Sequence, residues 1–158
     1  MVRKLRVSER DLLFALTNQM QETAHYLDLE TGEVIPVFSF NRDEILKLIR
    51  QHPDRYLRLA PQSSRESQEM LKGFIRTISR QSLKTQLLSA LQEKRVFARF
   101  REVLARFPNE LKRWHSYRIM ILTEPLRRKL REKGVELVLI PDQDEKHDYQ
   151  ELDDPTGE

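Results

Sequence analysis

Apolar residues recur at helical spacing through most of this chain, most regularly between Arg95 and Trp114. Spacings of three and four residues place one set of apolar side chains along a single face there: Phe97, Phe100, Leu104, Phe107, Leu111 and Trp114. Pro108 interrupts this segment, and proline suits the first turn of a helix better than its interior. The pattern therefore predicts two consecutive helices that share a buried apolar face.

Capping residues at helix starts, and glycine or proline at helix ends, predict the remaining helices. Asn41 with Glu44, and Ser63 with Glu66, have the spacing of capping boxes, in which each side chain bonds the other residue's backbone N–H. Gly134 suits the position just beyond a helix end. With the apolar periodicity, these signals predict helices over about residues 9–21, 41–52, 63–78, 82–92 and 126–133, the last with Thr123-Glu124-Pro125 as its cap and first turn.

Alternating segments predict a small sheet near the N-terminus. Residues 25–37 alternate on either side of Glu30-Thr31-Gly32, which is typical of a β-hairpin whose glycine takes a positive φ. Residues 56–59 supply a third strand, because a two-stranded hairpin alone is marginal in water. Val135–Ile140 alternates weakly and is expected to add an edge strand. The predicted fold class is α+β, mostly helical, with a small antiparallel three-stranded sheet.

Length and charge define the expected domain organisation. At 158 residues, we predict a single globular domain over 1–140 and an acidic, disordered tail over 141–158. Residues 142–158 hold eight acidic residues and one lysine, while the preceding 141 residues have a net charge of +10. No apolar segment approaches the ~20 residues that span a bilayer, and no signal sequence is evident, so we expect a cytoplasmic protein. The absence of cysteine excludes disulfides and thiolate metal sites.

The strongest functional signal is a basic helical face. Arg95, Arg99 and Arg106 project opposite the apolar face, and Arg76–Arg131 contains 15 basic residues against four acidic ones. Such a face is suited to phosphate contacts that weaken with salt, and exposed aromatic side chains there would stack on bases. The candidate contact residues for an acidic protein or nucleic acid are Arg95, Arg99, Arg106, Arg113, Trp114 and Arg118. The alternative is a solvated arginine face over core aromatics.

The hairpin supplies weaker candidates for catalysis. Three carboxylates lie on or beside the hairpin and could bind magnesium: Asp28, Glu30 and Glu33. A solvated turn, in which these side chains bond locally, explains their presence better. His25, His52, His115 and His147 have no metal-binding spacing. No serine-hydrolase, P-loop or dinucleotide-binding motif is present, so an enzyme is the weaker class and we expect no cofactor.

Three segments together are similar to a known family. Tyr26–Val34, with sequence YLDLETGEV, resembles its signature; Arg55–Leu59 with Pro61, Ser64 and Phe74 resembles a second block. A third block is matched by Leu87–Leu91, Phe97, Phe100, Trp114 and Tyr117-Arg118. On this basis the chain resembles the bacterial uncharacterised protein family 0158 over about Val7 to Gly134. The resemblance implies no assigned activity and no catalytic residues.

The sequence therefore leaves three functional hypotheses. The leading one is a non-enzymatic binding or regulatory protein that uses its basic helical face to contact an acidic macromolecular partner. The second is nucleic-acid binding through the same face. The third is a magnesium-dependent enzyme that uses the hairpin carboxylates. A membrane is not an expected partner, and the sequence leaves the oligomeric state open.

Overall fold

The secondary structure combines helices with short strands, as predicted. The computed structural model describes residues 2–20 and 22–142. Their elements, in chain order, are β1 (Arg3–Ser8), α1 (Glu9–Thr17), β2 (Ala24–Asp28), β3 (Val34–Val37), α2 (Arg42–Gln51), β4 (Tyr56–Leu59), α3 (Ser64–Arg76), α4 (Gln81–Ala90), α5 (Val96–Leu104), α6 (Pro108–Glu132) and β5 (Val135–Ile140). The predicted α+β fold class is confirmed.

The described residues divide into two compact units. The first, called here the sheet unit, runs up to Pro61 and resumes at Thr123, so it holds the strands, α1, α2 and the end of α6. The second, the helical unit, is Gln62–Leu122 and holds α3, α4, α5 and the start of α6. The prediction of one globular domain over 1–140 stays a prediction. Beyond residue 142, the predicted tail lies outside the described residues.

The antiparallel sheet of the sheet unit has the predicted strands. Strand β2 lies between β3 and β4, with Tyr26 opposite Ile35 on one side and opposite Arg58 on the other. The hairpin turn contains Gly32 at a φ of +83°, which is the left-handed conformation expected of glycine there. Leu27 is buried among the core residues, as its alternation predicts. The β2–β3 hairpin of this sheet is therefore encoded by residues close together in the sequence.

A second, parallel sheet was only half predicted. Strand β5 was expected, but its partner is β1, which pairs with it in parallel from Arg3 opposite Val135 to Ser8 opposite Ile140. Leu5 and Val7 of β1 are buried, while Lys4 and Arg6, which alternate with them, are exposed. Because the paired strands are separated by most of the chain, short-range alternation gives no sign of this pairing.

Three helix boundaries differ from the predicted ones. Helix α1 ends at Thr17, whose hydroxyl donates to the Leu13 carbonyl oxygen at 2.8 Å, instead of continuing to residue 21. Asn41 does not cap α2 with its side chain; its Oδ1 accepts from the Phe38 N–H at 2.7 Å and so fixes the preceding loop. Pro125 lies inside α6, where a new helix was predicted to begin. The local stop and start signals in the sequence therefore do not fix these helix ends to the residue.

The helical unit is organised around an aromatic core. Phe74 of α3 contacts Trp114 at a centroid distance of 5.1 Å, and Phe100 of α5 contacts the same indole at 5.2 Å. The Tyr117 hydroxyl lies directly against Gly73, where a β-carbon would collide with it. The apolar face predicted from the sequence is therefore the core. The predicted capping box of Ser63 and Glu66 starts α3.

Candidate partner-binding site

The predicted basic face of α5 is engaged largely in local interactions. Arg99 bonds Glu102 at 2.8 Å and also pairs with Glu93, so two carboxylates offset its charge. Arg95 precedes the helix in a left-handed conformation, at a φ of +56°. Arg106 is exposed at the end of this segment. No ion pair between Arg106 and another described residue is observed.

Two of the predicted contact residues lie in the core of the helical unit. Trp114 is only 1% exposed and packs between Phe74 and Phe100. Arg118 is 2% exposed, and its guanidinium carbon lies 5.7 Å from the centroid of the Phe97 ring. Neither side chain is accessible for stacking or phosphate contact in this conformation. Their sequence positions on the apolar face account for this burial.

The structure instead gathers arginines where two chain connections meet. We call Arg76, Arg80, Arg106 and Arg113 the arginine cluster. The first two come from the end of α3 and the link to α4, and the other two from the α5–α6 turn and the start of α6. The Arg113 Nη1 donates to Thr77 Oγ1 at 2.8 Å, and the Arg80 guanidinium lies 5.1 Å from the Phe107 ring centroid. These contacts hold the two connections side by side.

Aromatic rings hold two of these guanidinium groups in place. Arg113 lies over the ring of Phe74, with its guanidinium carbon 4.8 Å from the centroid, and Arg80 lies over Phe107. Stacking against an aromatic face is favourable for a planar guanidinium. The stacked Arg113 also bonds Thr77 through Nη1 and Glu110 through Nη2, so its N–H groups are partly engaged within the fold. A carboxylate, that of Glu110, pairs with Arg113 at 2.7 Å. The cluster therefore keeps a clear excess of positive charge.

Helix termini add to this positive potential. Helix α4 begins beside the cluster with Arg80 as its N-cap; no side chain caps it, and no acidic residue lies in its first turn. Helix α6 also begins here, at Pro108. The N-terminus of a helix presents unsatisfied N–H groups and the positive end of the helix dipole. The whole helical unit, Gln62–Leu122, contains 13 basic and five acidic residues.

The predicted and observed basic residues overlap in part. Arg106 and Arg113 were named from the sequence, and both belong to the α5–α6 segment that contacts the α3–α4 connection. Arg76 and Arg80 were not named, because Arg76 lies in another predicted helix and Arg80 lies between two predicted helices, so neither shares a helical face with the others. Their position on either side of the α3–α4 connection was the only available signal. The prediction that these residues contact a partner remains untested.

The hairpin carboxylates have a structural role in the sheet unit. Asp28 is 3% exposed, and its carboxylate accepts from Arg55 Nε at 3.0 Å and Nη2 at 2.9 Å. It also accepts from the backbone N–H groups of Glu30 at 2.9 Å and Thr31 at 3.3 Å. Burial alone would raise the pKa of Asp28, but these hydrogen bonds outweigh it and lower the pKa to about 2. An arginine thus occupies the place that a cation would need.

This geometry argues against a magnesium site at the hairpin. Glu30 also pairs with Arg55, at 3.2 Å, and Glu33 is exposed. Within residues 2–20 and 22–142, no group of three His, Asp or Glu side chains is arranged to hold a metal ion. The solvated-turn interpretation needs one correction: Asp28 was expected to face away from the core, yet it is buried and neutralised by Arg55.

Comparison with known proteins places the chain in a family. The family model described as uncharacterised protein family UPF0158 matches residues 2–151. The chain belongs to this family. A similar protein is the UPF0158 protein PA5073 of Pseudomonas aeruginosa, 29% identical over 117 residues that make up 73% of this chain and 75% of the relative. The family resemblance inferred from the sequence is therefore confirmed, and the family carries no assigned activity.

No solved structure matches the chain. Among the helices that the structure describes, none combines the length and the apolar character required to cross a bilayer.

Proposed function

We propose that this protein is a non-enzymatic binding protein whose arginine cluster contacts an acidic macromolecular partner. The observation that supports the proposal is the contact between two chain connections that together carry four arginines, through Arg113 with Thr77 and Arg80 with Phe107; one carboxylate, that of Glu110, pairs with Arg113. Like charges brought together in a fold repel each other, so a partner of opposite charge stabilises the arrangement. The hairpin carboxylates Asp28 and Glu30, in contrast, are already paired with Arg55 within the fold.

Nucleic acid is the partner that the chemistry of the cluster favours. Every member is an arginine, whose planar guanidinium binds phosphate oxygens through two parallel hydrogen bonds. Two of the guanidinium groups are stacked on Phe74 and Phe107, which reduces the conformational entropy lost on binding. The uncapped N-terminus of α4 offers backbone N–H groups to the same anions. An acidic protein surface would be attracted by the same positive charge, but phosphates match the paired guanidinium hydrogen bonds and the helix N-terminus better.

The test compares polyanions and salt concentrations. Fluorescence anisotropy would measure the binding of labelled single-stranded RNA, single-stranded DNA and poly-glutamate, each between 50 and 200 mM salt. Each phosphate contact contributes about −0.7 to the slope of log K against log salt for single strands. Replacing Arg76, Arg80 and Arg106 by glutamine should therefore reduce the magnitude of the slope for RNA by about 2.

A matched control separates the cluster from net charge. Lys47, Arg50 and Lys129 are exposed residues of the sheet unit, and the triple glutamine variant at these positions loses the same three charges. It should bind RNA with nearly the wild-type slope. Equal weakening in both triple variants, or the absence of binding to all three polyanions at 50 mM salt, would refute the proposal. Binding to poly-glutamate alone would identify the partner as an acidic protein.

A further inference from the structure

Most of the arginine cluster has no carboxylate partner in the part of the chain that the structure describes. Glu110 pairs with Arg113, but no ion pair of Arg76, Arg80 or Arg106 with a described residue is observed. All three of these side chains are exposed. They lie on two connections that contact each other, so carboxylates from elsewhere would relieve the repulsion between them.

The chain carries a carboxylate-rich segment of its own. Residues 142–158 contain eight acidic side chains and one lysine, whereas the helical unit contains 13 basic and five acidic residues. Asp142 is the last described residue and pairs with Arg10 at 3.3 Å. The other seven carboxylates lie outside the described residues: Asp144, Glu145, Asp148, Glu151, Asp153, Asp154 and Glu158. We call residues 143–158 the acidic segment, and its charge is opposite to that of the arginine cluster.

Covalent attachment favours contact between the two. An extended chain advances about 3.3 Å per residue, so the acidic segment reaches up to about 50 Å from Asp142. This length does not confine the segment to the surroundings of Asp142. A tethered segment has an effective concentration on the order of 1 mM, so that even weak ion pairs form within one molecule.

The number of available arginines sets the strength of such a contact. Each exposed ion pair changes an equilibrium by about twofold to fivefold. Three pairs, one for each arginine without a described carboxylate partner, therefore favour the contact by about tenfold. A contact of this strength weakens the binding of another anion to the cluster without preventing it.

We propose that the acidic segment contacts Arg76, Arg80 and Arg106 of its own chain and competes with the macromolecular partner for them. The inference rests on the proposed function, because it describes the regulation of the same arginine cluster. Weakly bound polyanions are excluded by the segment, whereas a tightly bound one displaces it. The contact therefore raises the selectivity of the cluster.

A spin label on the full-length protein tests the contact without any partner present. The chain contains no cysteine, so Thr156→Cys provides a single site for a nitroxide label in the acidic segment. We expect the label to broaden the backbone amide signals of Thr77 and Gln81, which lie beside the cluster. The broadening should fade in about 1 M salt, where the Debye length falls to about 3 Å.

The two triple glutamine variants show whether the arginines hold the segment. Replacement of Arg76, Arg80 and Arg106 should abolish the broadening, whereas the control at Lys47, Arg50 and Lys129 should retain it. Absence of broadening, or broadening that persists in the arginine variant, would overturn the proposal. So would broadening seen only when spin-labelled protein is mixed with separate isotope-labelled protein, because the contact would then form between molecules.

RNA binding tests the competition, again with a control of equal charge. One full-length variant replaces Asp148, Glu151, Asp153 and Asp154 by their amides. The control replaces four exposed acidic residues of the sheet unit in the same way: Glu22, Glu33, Asp54 and Glu136. The first variant should bind RNA about tenfold more tightly than the wild type, and the control less than about twofold more tightly. An equal gain in both variants would refute the competition.

The two readouts separate this inference from the proposed function. Cluster-dependent broadening in a protein that binds neither RNA nor another polyanion, even with the acidic segment neutralised, would support the contact and refute the proposed function. RNA binding that depends on the cluster but is accompanied by no broadening would support the proposed function and refute the contact.

Discussion

The substitution Asp28→Asn provides a direct test of the buried ion pair in the hairpin. Asparagine has nearly the shape of aspartate, so the substitution removes the negative charge and changes the packing little. The Arg55 guanidinium then loses its buried counter-charge, and the turn loses two charge-assisted bonds to backbone N–H groups. We therefore expect the variant to fold and to be less stable.

The pKa of Asp28 gives the size of the effect. Its value of about 2 in the folded protein lies below the ordinary value of 3.8. Since one pKa unit corresponds to about 1.4 kcal/mol, the ionised carboxylate stabilises the folded state by about 2 kcal/mol at pH 7. Asparagine resembles the protonated acid, so Asp28→Asn should lower the free energy of unfolding by about that amount.

The effect should depend on pH with a definite sign. A folded pKa below the unfolded value means that the contribution is complete above about pH 5 and disappears as the pH falls from about 4 to 2. Urea unfolding at a series of pH values should thus show a difference between wild type and Asp28→Asn of about 2 kcal/mol at pH 7. This difference should approach zero near pH 2.

A neighbouring carboxylate provides the control. Glu33 belongs to the same hairpin but is exposed, and no ion pair of its side chain is observed with the described residues. Glu33→Gln should change the free energy of unfolding by less than about 0.5 kcal/mol at every pH. A difference for Asp28→Asn that is absent at pH 7, or that stays constant down to pH 2, would show that the ion pair does not stabilise the fold as argued.

Two further predictions concern the helical unit and the domain organisation. Gly73→Ala should destabilise the protein by about 1 kcal/mol in thermal or urea unfolding, because the collision with the Tyr117 hydroxyl exceeds the gain in helix propensity. In a Tyr117→Phe background, Gly73→Ala should become neutral or stabilising. An unchanged cost in that background would contradict the assigned collision. Trp114, the sole tryptophan, reports on the helical unit. If residues 1–140 unfold as one domain, Trp114 fluorescence and circular dichroism should give one coincident urea transition, which Asp28→Asn should also shift. Two separate transitions would contradict a single domain.

The candidate site was less predictable than the fold around it. Helical periodicity identified Arg106 and Arg113 as surface residues, because a charged position opposite an apolar face is a local property of one helix. Trp114 and Arg118 were also named as contact residues, although Trp114 lies on the apolar face and Arg118 follows it by one helical turn, and both lie in the core. Arg76 and Arg80 come near the α5–α6 segment because Arg113 donates to Thr77 and Arg80 lies over Phe107, contacts between residues 36 and 27 positions apart.

The sequence by itself determined the elements whose signals are local. The β2–β3 hairpin, the positive φ of Gly32 and the capping box at Ser63 all depend on residues close together in the sequence. The tertiary structure alone decided the pairing of β1 with β5, the continuation of α6 through Pro125 and the ion pair of Asp28 with Arg55. Each of these three is stabilised by packing or charge contacts between distant segments, and such contacts have no periodicity in the sequence.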